Sequence, residues 1–170
     1  ALQIATELLT NHILRPCAAA LPGVREAVLV AIMSGCQTFD ASDEGTAEFL
    51  ATPEAADSGI GFGDGGDGGE GDLAGAAGSC LDIASKELDP DEVLRVCLQA
   101  AWGMLSDEDW RARRTALYIT SVICSGTRSK MYQHLPQLVP PLLLRTADPH
   151  PRVRYAAAHC LTELIREFRA

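Results

Sequence analysis

The last quarter of the chain carries one long helical stripe. Val153, Ala157, Cys160, Leu161, Leu164, Ile165 and Phe168 recur at steps of three and four residues. That spacing gathers side chains on a single face of an α-helix. Subtracting 41 from each position gives Ala112, Ala116, Ile119, Thr120, Ile123, Cys124 and Thr127. The stripe survives the shift with two threonines in it. The segments just before show the same agreement: Leu135, Leu138, Val139, Leu142 and Leu143 map onto Leu94, Cys97, Leu98, Ala101 and Trp102. Two helix-turn-helix units are predicted, 90–105 with 108–125 and 130–146 with 149–168.

The polar residues keep the same period. Residues 147–157 read Ala-Asp-Pro-His-Pro-Arg-Val-Arg-Tyr-Ala-Ala, and a degraded copy lies 41 residues upstream, where Asp107 matches Asp148, Arg113 matches Arg154 and Ala116 matches Ala157. A fixed offset of this size marks stacked helical repeats of the HEAT or armadillo type. Asp107 and Asp148 suit N-cap positions, where a carboxylate accepts bonds from unpaired backbone N–H groups. Pro149 suits the first helical turn, where its missing N–H costs nothing. Pro136 and Pro140 should bend the helix at 130–146 or delay its start.

Upstream the pattern loosens. Residues 2–14 read as one helix ended by Pro16. Residues 17–37 read as a second, with Val28, Leu29, Ile32, Met33 and Cys36 on one face and a start delayed by Pro22 and Gly23. Residues 75–87 read as a short third helix. Between the second and third lies an insertion from Thr38 to about Leu73. It holds Asp40, Asp43, Glu44, Glu48, Glu54, Asp57, Asp64, Asp67, Glu70 and Asp72, and ten glycines fall between Gly59 and Gly78. So little apolar surface cannot offset the chain entropy of ordering, so the insertion is expected to be disordered alone.

Charge sharpens this picture. The net charge is −9 over 170 residues. From Glu26 to Ser85 there are 12 acidic residues and no Lys or Arg; the remainder carries +3. The acidity belongs to one segment. It favours a basic partner and argues against nucleic acid, whose phosphates would be repelled. Hydrophobic residues make up 47% and aromatics only 5%, so aliphatic side chains carry the burial. No apolar run reaches the roughly 18 residues that span a bilayer, so no membrane partner is expected. No secretory signal is visible. Ala1 starts inside an amphipathic pattern with no cap before it, which reads as a fragment of something longer.

Little supports catalysis or metal binding. Cys17, Cys36, Cys80, Cys97, Cys124 and Cys160 contain no C-x-x-C pair, and most fall on apolar faces, as reduced core cysteines do. His12, His134, His150 and His159 lack metal-ligand spacing. Asp64, Asp67 and Glu70 repeat at threes, unlike the alternate ligands of an EF-hand loop. There is no P-loop, G-x-S-x-G or H-E-x-x-H. No enzyme, cofactor or metal is expected.

The phrase Asp-Pro-His-Pro-Arg-Val-Arg-Tyr-Ala-Ala at 148–157 resembles one from the importin-β (karyopherin-β) family of nuclear transport receptors, most similar to the branch containing importin four and importin five. Trp110-Arg111-x-Arg113 followed by Ala116-Leu117 resembles the helix one repeat earlier, and Ala1-Leu2-Gln3 onward looks like the second helix of the repeat before the insertion. The resemblance covers essentially the whole chain. Acidic loops of the family are often dense Asp/Glu tracts, sometimes with Trp; this one is diluted by glycine and has none.

The resemblance implies an acidic loop that contacts the GTPase Ran and helps expel cargo. It also implies a structural ladder in which a helix Arg bonds to the turn Asp of an adjacent repeat. Asp107, Arg113, Asp148 and Arg154 are its candidates, with Asp107 a candidate partner for Arg154. Trp110 and Tyr155 are read as packing at repeat junctions.

The expected fold is all-α: a HEAT-repeat α-solenoid, a right-handed superhelical stack of antiparallel helix pairs with a long acidic, Gly-rich insertion. Residues 1–15 would be the second helix of a truncated repeat, 16–88 a repeat with insertion 38–73, and 89–127 and 128–170 two regular repeats. The expected function is nuclear import by binding and release, with shuttling between cytoplasm and nucleus through the pore. Partners would be basic cargo or a nuclear localisation signal, Ran-GTP and nucleoporin FG repeats, with the ten insertion carboxylates as the binding residues. The alternative is a generic HEAT scaffold subunit of a phosphatase or chromosome complex.

Overall fold

A computed structural model of the chain describes Glu7, Asn11 and residues 23–37 and 73–169. Seven α-helices follow one another there: α1 (Val24–Gly35), α2 (Leu73–Glu87), α3 (Pro90–Leu105), α4 (Trp110–Ile123), α5 (Arg128–Met131), α6 (Leu135–Leu144) and α7 (Pro151–Phe168). They stack as an all-α solenoid. The helix expected at 2–14 and the acidic insertion lie outside the described residues.

The local starts follow from single residues. Gly23 takes a φ of 78°, a left-handed conformation that suits glycine, and α1 begins directly after it. This is the delayed start anticipated at Pro22 and Gly23. Asp89 caps α3 by accepting from the N–H groups of Asp91 and Glu92 at 2.9 and 3.3 Å, with Pro90 behind it in the first turn. α4 and α7 begin later than expected. Their cap residues are Asp109 and His150, not Asp107 and Asp148. Asp107 and Asp148 instead accept from the N–H two residues on, at 2.8 and 2.9 Å, closing the turn that leads into each helix. Pro151, rather than Pro149, occupies the first turn of α7.

The helix expected at 130–146 is interrupted just ahead of Pro136. The segment runs as α5, a 3₁₀ turn at Tyr132–His134, and α6 with Pro136 near its start and Pro140 and Pro141 inside. Pro136 clashes with the carbonyl four residues back, at Tyr132, and the helix gives way to the 3₁₀ turn there, whereas α6 carries Pro140 and Pro141 and ends in a second 3₁₀ turn at Arg145–Ala147.

One core runs the length of the stack. Leu29, Ile32 and Met33 of α1 meet Leu81 and Ala84 of α2, then Val93 and Cys97 of α3, Leu117 and Ile123 of α4, and Leu142, Val153 and Cys160 beyond. The stripe of α4 is buried almost throughout, from Ala116 to Thr127. The matching stripe of α7 is not. Val153, Ala157, Cys160 and Leu164 are buried and Leu161 is half-buried, but Ile165 is 67% exposed. Cys124, its counterpart, is only 1% exposed because α7 packs over α4. No described element covers α7 in the same way. Trp102 and Leu143, equivalent residues on α3 and α6, also lie outside the core at 39% and 51% exposure.

Candidate functional site

The ten insertion carboxylates, Asp40, Asp43, Glu44, Glu48, Glu54, Asp57, Asp64, Asp67, Glu70 and Asp72, all lie outside the described residues. The described candidates meet at the junction of the last two helix pairs. Arg113, projecting from the first turn of α4, donates from Nε to Asp148 Oδ2 at 2.8 Å and from Nη2 to Asp148 Oδ1 at 2.9 Å. Its Nη1 turns back and donates to the carbonyls of Asp107 and Glu108 at 2.9 and 2.8 Å. One guanidinium thus joins the turn before α4 to the turn before α7. The planar fork of arginine suits this task, since it satisfies both carboxylate oxygens at once.

The ladder runs in the opposite sense from the suggested Arg154–Asp107 pair. Arg154 donates from Nη1 to the carbonyls of Asp148 and Pro149, both at 2.9 Å. That is the Arg113 pose repeated one unit later. The Asp107 carboxylate faces its own turn. An Arg at the start of α4 reaches forward to the next turn because α7 stacks on that side.

Two contributors escaped the sequence reading. Arg145 Nη1 approaches Asp148 Oδ2 at 3.3 Å. Its counterpart 41 residues earlier is Met104, so the repeat offered no signal for it. His150 stacks on Trp110 with ring centroids 3.7 Å apart and planes within 7°. The Arg111 guanidinium lies 4.8 Å from the Trp110 ring centre. Trp110 therefore packs at a repeat junction, as read from the sequence.

The electrostatics follow from these contacts. Burial alone would raise the Asp148 carboxyl, but the Arg113 hydrogen bond, the His150 amide and the Arg113 charge outweigh it, and the carboxyl is held below its ordinary range. The same hydrogen bond raises Arg113. Burial, then the neighbouring Arg152 charge, pushes His150 below the usual imidazole value. The junction therefore favours a charged Asp148 and a neutral His150.

The described cysteines, Cys36, Cys80, Cys97, Cys124 and Cys160, are free thiols. Burial pushes Cys36, Cys97 and Cys124 up to about 12 and raises Cys160 as well. Thiols this reluctant to ionise are poor nucleophiles. Among the described residues no cluster of His, Cys, Asp and Glu could hold a metal ion. The site is a structural junction between successive helix pairs.

Comparison with known proteins agrees with the stacked-helix fold. Residues 110–164 match the model of the HEAT-like repeat family. The whole fold superposes on solved structures of the karyopherin Kap121p. Against that protein bound to RanGTP, the TM-score is 0.81 at 18% identity, covering 99% of this chain and 15% of the other. Against Kap121p bound to Nup53p the TM-score is 0.80 at 18% identity, with the same coverage. The complex with the SUMO protease Ulp1p gives 0.80 at 18%, again covering 99% and 15%. The chain spans about 15% of the length of these structures. At such identity the likeness is one of fold, an α-solenoid of HEAT repeats.

Proposed function

We propose that the chain is a segment of a nuclear transport receptor that binds basic cargo, Ran-GTP, or both, during protein import. On this reading residues 16–88 form a repeat interrupted by the insertion at 38–73, and residues 89–127 and 128–170 form two regular repeats. The ten insertion carboxylates act as the capture surface. Carrying no basic residue among them, they attract Lys/Arg-rich segments through long-range, salt-screened forces. Function is binding and release, without chemistry.

The observation that carries the reading is the superposition along 99% of the chain on Kap121p solved with RanGTP. The acidic run between Glu26 and Ser85 supports it. A pull-down with Ran loaded with GTP or GDP tests it. Retention of the GTP form alone is the expected result. Equal or absent retention of both forms, together with no binding of a Lys/Arg-rich localisation peptide, would leave a general HEAT scaffold as the better reading.

A further inference from the structure

The last two helix pairs meet in a second contact besides the Arg113–Asp148 bonds. His150, the cap residue of α7, lies flat on Trp110, the first residue of α4. The His150 side chain is half-buried, yet its Nδ1 is sealed from water and has no hydrogen-bond partner. Nε2 is not sealed in this way. A neutral imidazole tolerates the arrangement, with its proton on Nε2 and an idle lone pair at Nδ1. An imidazolium does not. It carries N–H on both nitrogens, and a sealed, charged N–H without an acceptor bears the full cost of lost hydration.

The surroundings oppose a charge on this ring. Arg111 and Arg113 of α4 and Arg152 of α7 act on it as cations, and Asp148 as an anion. Asp148 is already engaged by Arg113 and by Arg145 of the following 3₁₀ turn. In the turn before α4, the Asp107 carboxylate accepts from its own turn, Asp109 pairs with Arg111, and Glu108 is exposed. α6, which packs on α7, carries no titratable side chain. The ring is also tied to the buried pair. The His150 backbone N–H donates to Asp148 Oδ1 at 2.9 Å, and the same oxygen accepts from Arg113 Nη2. A displaced His150 therefore pulls on the Asp148–Arg113 contact.

We propose that His150 is a proton-operated latch between the last two helix pairs, independent of what the chain binds. A proton taken up at Nδ1 turns the ring off Trp110 into water and loosens the Asp148–Arg113 contact, while the helices stay formed. Loss of the proton lets the ring return. Pro149 beside it is exposed, so the path to water is short and leaves the core untouched. Because α7 packs on α4, loosening here changes the angle between neighbouring helix pairs and not the fold within each. The competing outcome is an imidazolium that stays on the Trp110 face as a cation–π pair. That arrangement keeps Nδ1–H sealed among arginines, and the latch reading rejects it on this ground.

The test is NMR of the full chain from pH 8 down to pH 4, with His150 assigned by the signal missing from His150→Gln. At pH 8 the Trp110 ring current should displace the His150 ring protons upfield, as a stack at 3.7 Å requires. On acidification these protons should titrate with a midpoint below 6.5 and lose that displacement. The Arg113 Nε–H signal, set by its bond to Asp148, should shift over the same step in the parent and stay still in His150→Gln. Far-UV circular dichroism should not change across the step. Arg111→Gln removes one opposing cation and should raise the midpoint, and high salt should raise it by screening. A protonated ring that keeps its ring-current displacement has stayed on Trp110, and the proposal is then overturned. So it is if the Arg113 signal ignores the step, or if the ring moves only when the circular dichroism is lost.

Discussion

Arg113 and Asp148 lie 35 residues apart and are joined by two hydrogen bonds of 2.8 and 2.9 Å. The Asp148 side chain has no exposed surface, and Arg113 retains 11%. A buried carboxylate that loses its partner cannot be rehydrated, so removing one member costs more than the pair contributes. Arg113→Met should therefore destabilise the chain by about 3 kcal/mol, the low end for a broken buried pair because Arg145 remains. Urea denaturation measures this. Arg154→Met, which breaks only backbone contacts, should cost clearly less.

The same junction sets a pH dependence. His150 has a folded pKa below its ordinary value of 6.5. Above 6.5 both folded and unfolded forms are neutral and the His150 contribution is complete. As pH falls below 6.5 the unfolded chain takes the proton first, and stability declines. Asp148 acts further down. Its folded pKa lies below 3.8, so its contribution is intact above that value and is lost as pH falls toward the folded pKa. Denaturation midpoints should drop in two stages, one starting near pH 6.5 and one below pH 4. His150→Gln should abolish the first stage and leave the second.

Two glycines, Gly78 within α2 and Gly126 in the turn after α4, allow close approach between elements. A Cβ on Gly126 would lie 2.5 Å from the Ser85 carbonyl, against backbone that cannot rotate away. A Cβ on Gly78 would overlap the Tyr118 hydroxyl and come within 2.7 Å of its ring. Gly126→Ala should cost about 2–3 kcal/mol, as overpacking does. Gly78→Ala should cost less, because an aromatic side chain can shift. Thermal melts of the two variants rank them, and a milder effect at Gly126 would contradict the close approach.

Core positions should separate from rim positions by thiol chemistry and by truncation. Cys80 is half-buried, whereas Cys36, Cys97, Cys124 and Cys160 are buried with raised pKa. In the native state Cys80 should react with a maleimide well before those four, which should follow only on unfolding. Leu142 is fully buried, and Leu142→Ala should cost about 3 kcal/mol. Leu161 is half-buried, and Leu161→Ala should cost nearer 1 kcal/mol, because the truncation removes less buried surface.

The period of 41 residues, the apolar stripes and the helical identity of 90–105, 108–125 and 149–168 were legible in the linear chain. They depend on local spacing, which a helix converts directly into a face. The prolines at 136, 140 and 141 likewise act through their own backbone. Even so, helix starts shifted by two residues, because Asp107 and Asp148 could close a turn or cap a helix and the chain alone does not rank the two. The matters left to the tertiary structure all involve residues on different elements. That Asp148 meets Arg113 and Arg145 while Arg154 does not reach Asp107, that Ile165 stays exposed where Cys124 is covered, and that Arg128 and Arg169 share a groove all depend on how successive helices are rotated and stacked. A repeat offset states which positions are equivalent. Only the packing of one unit on the next decides which of two equivalent side chains finds a partner.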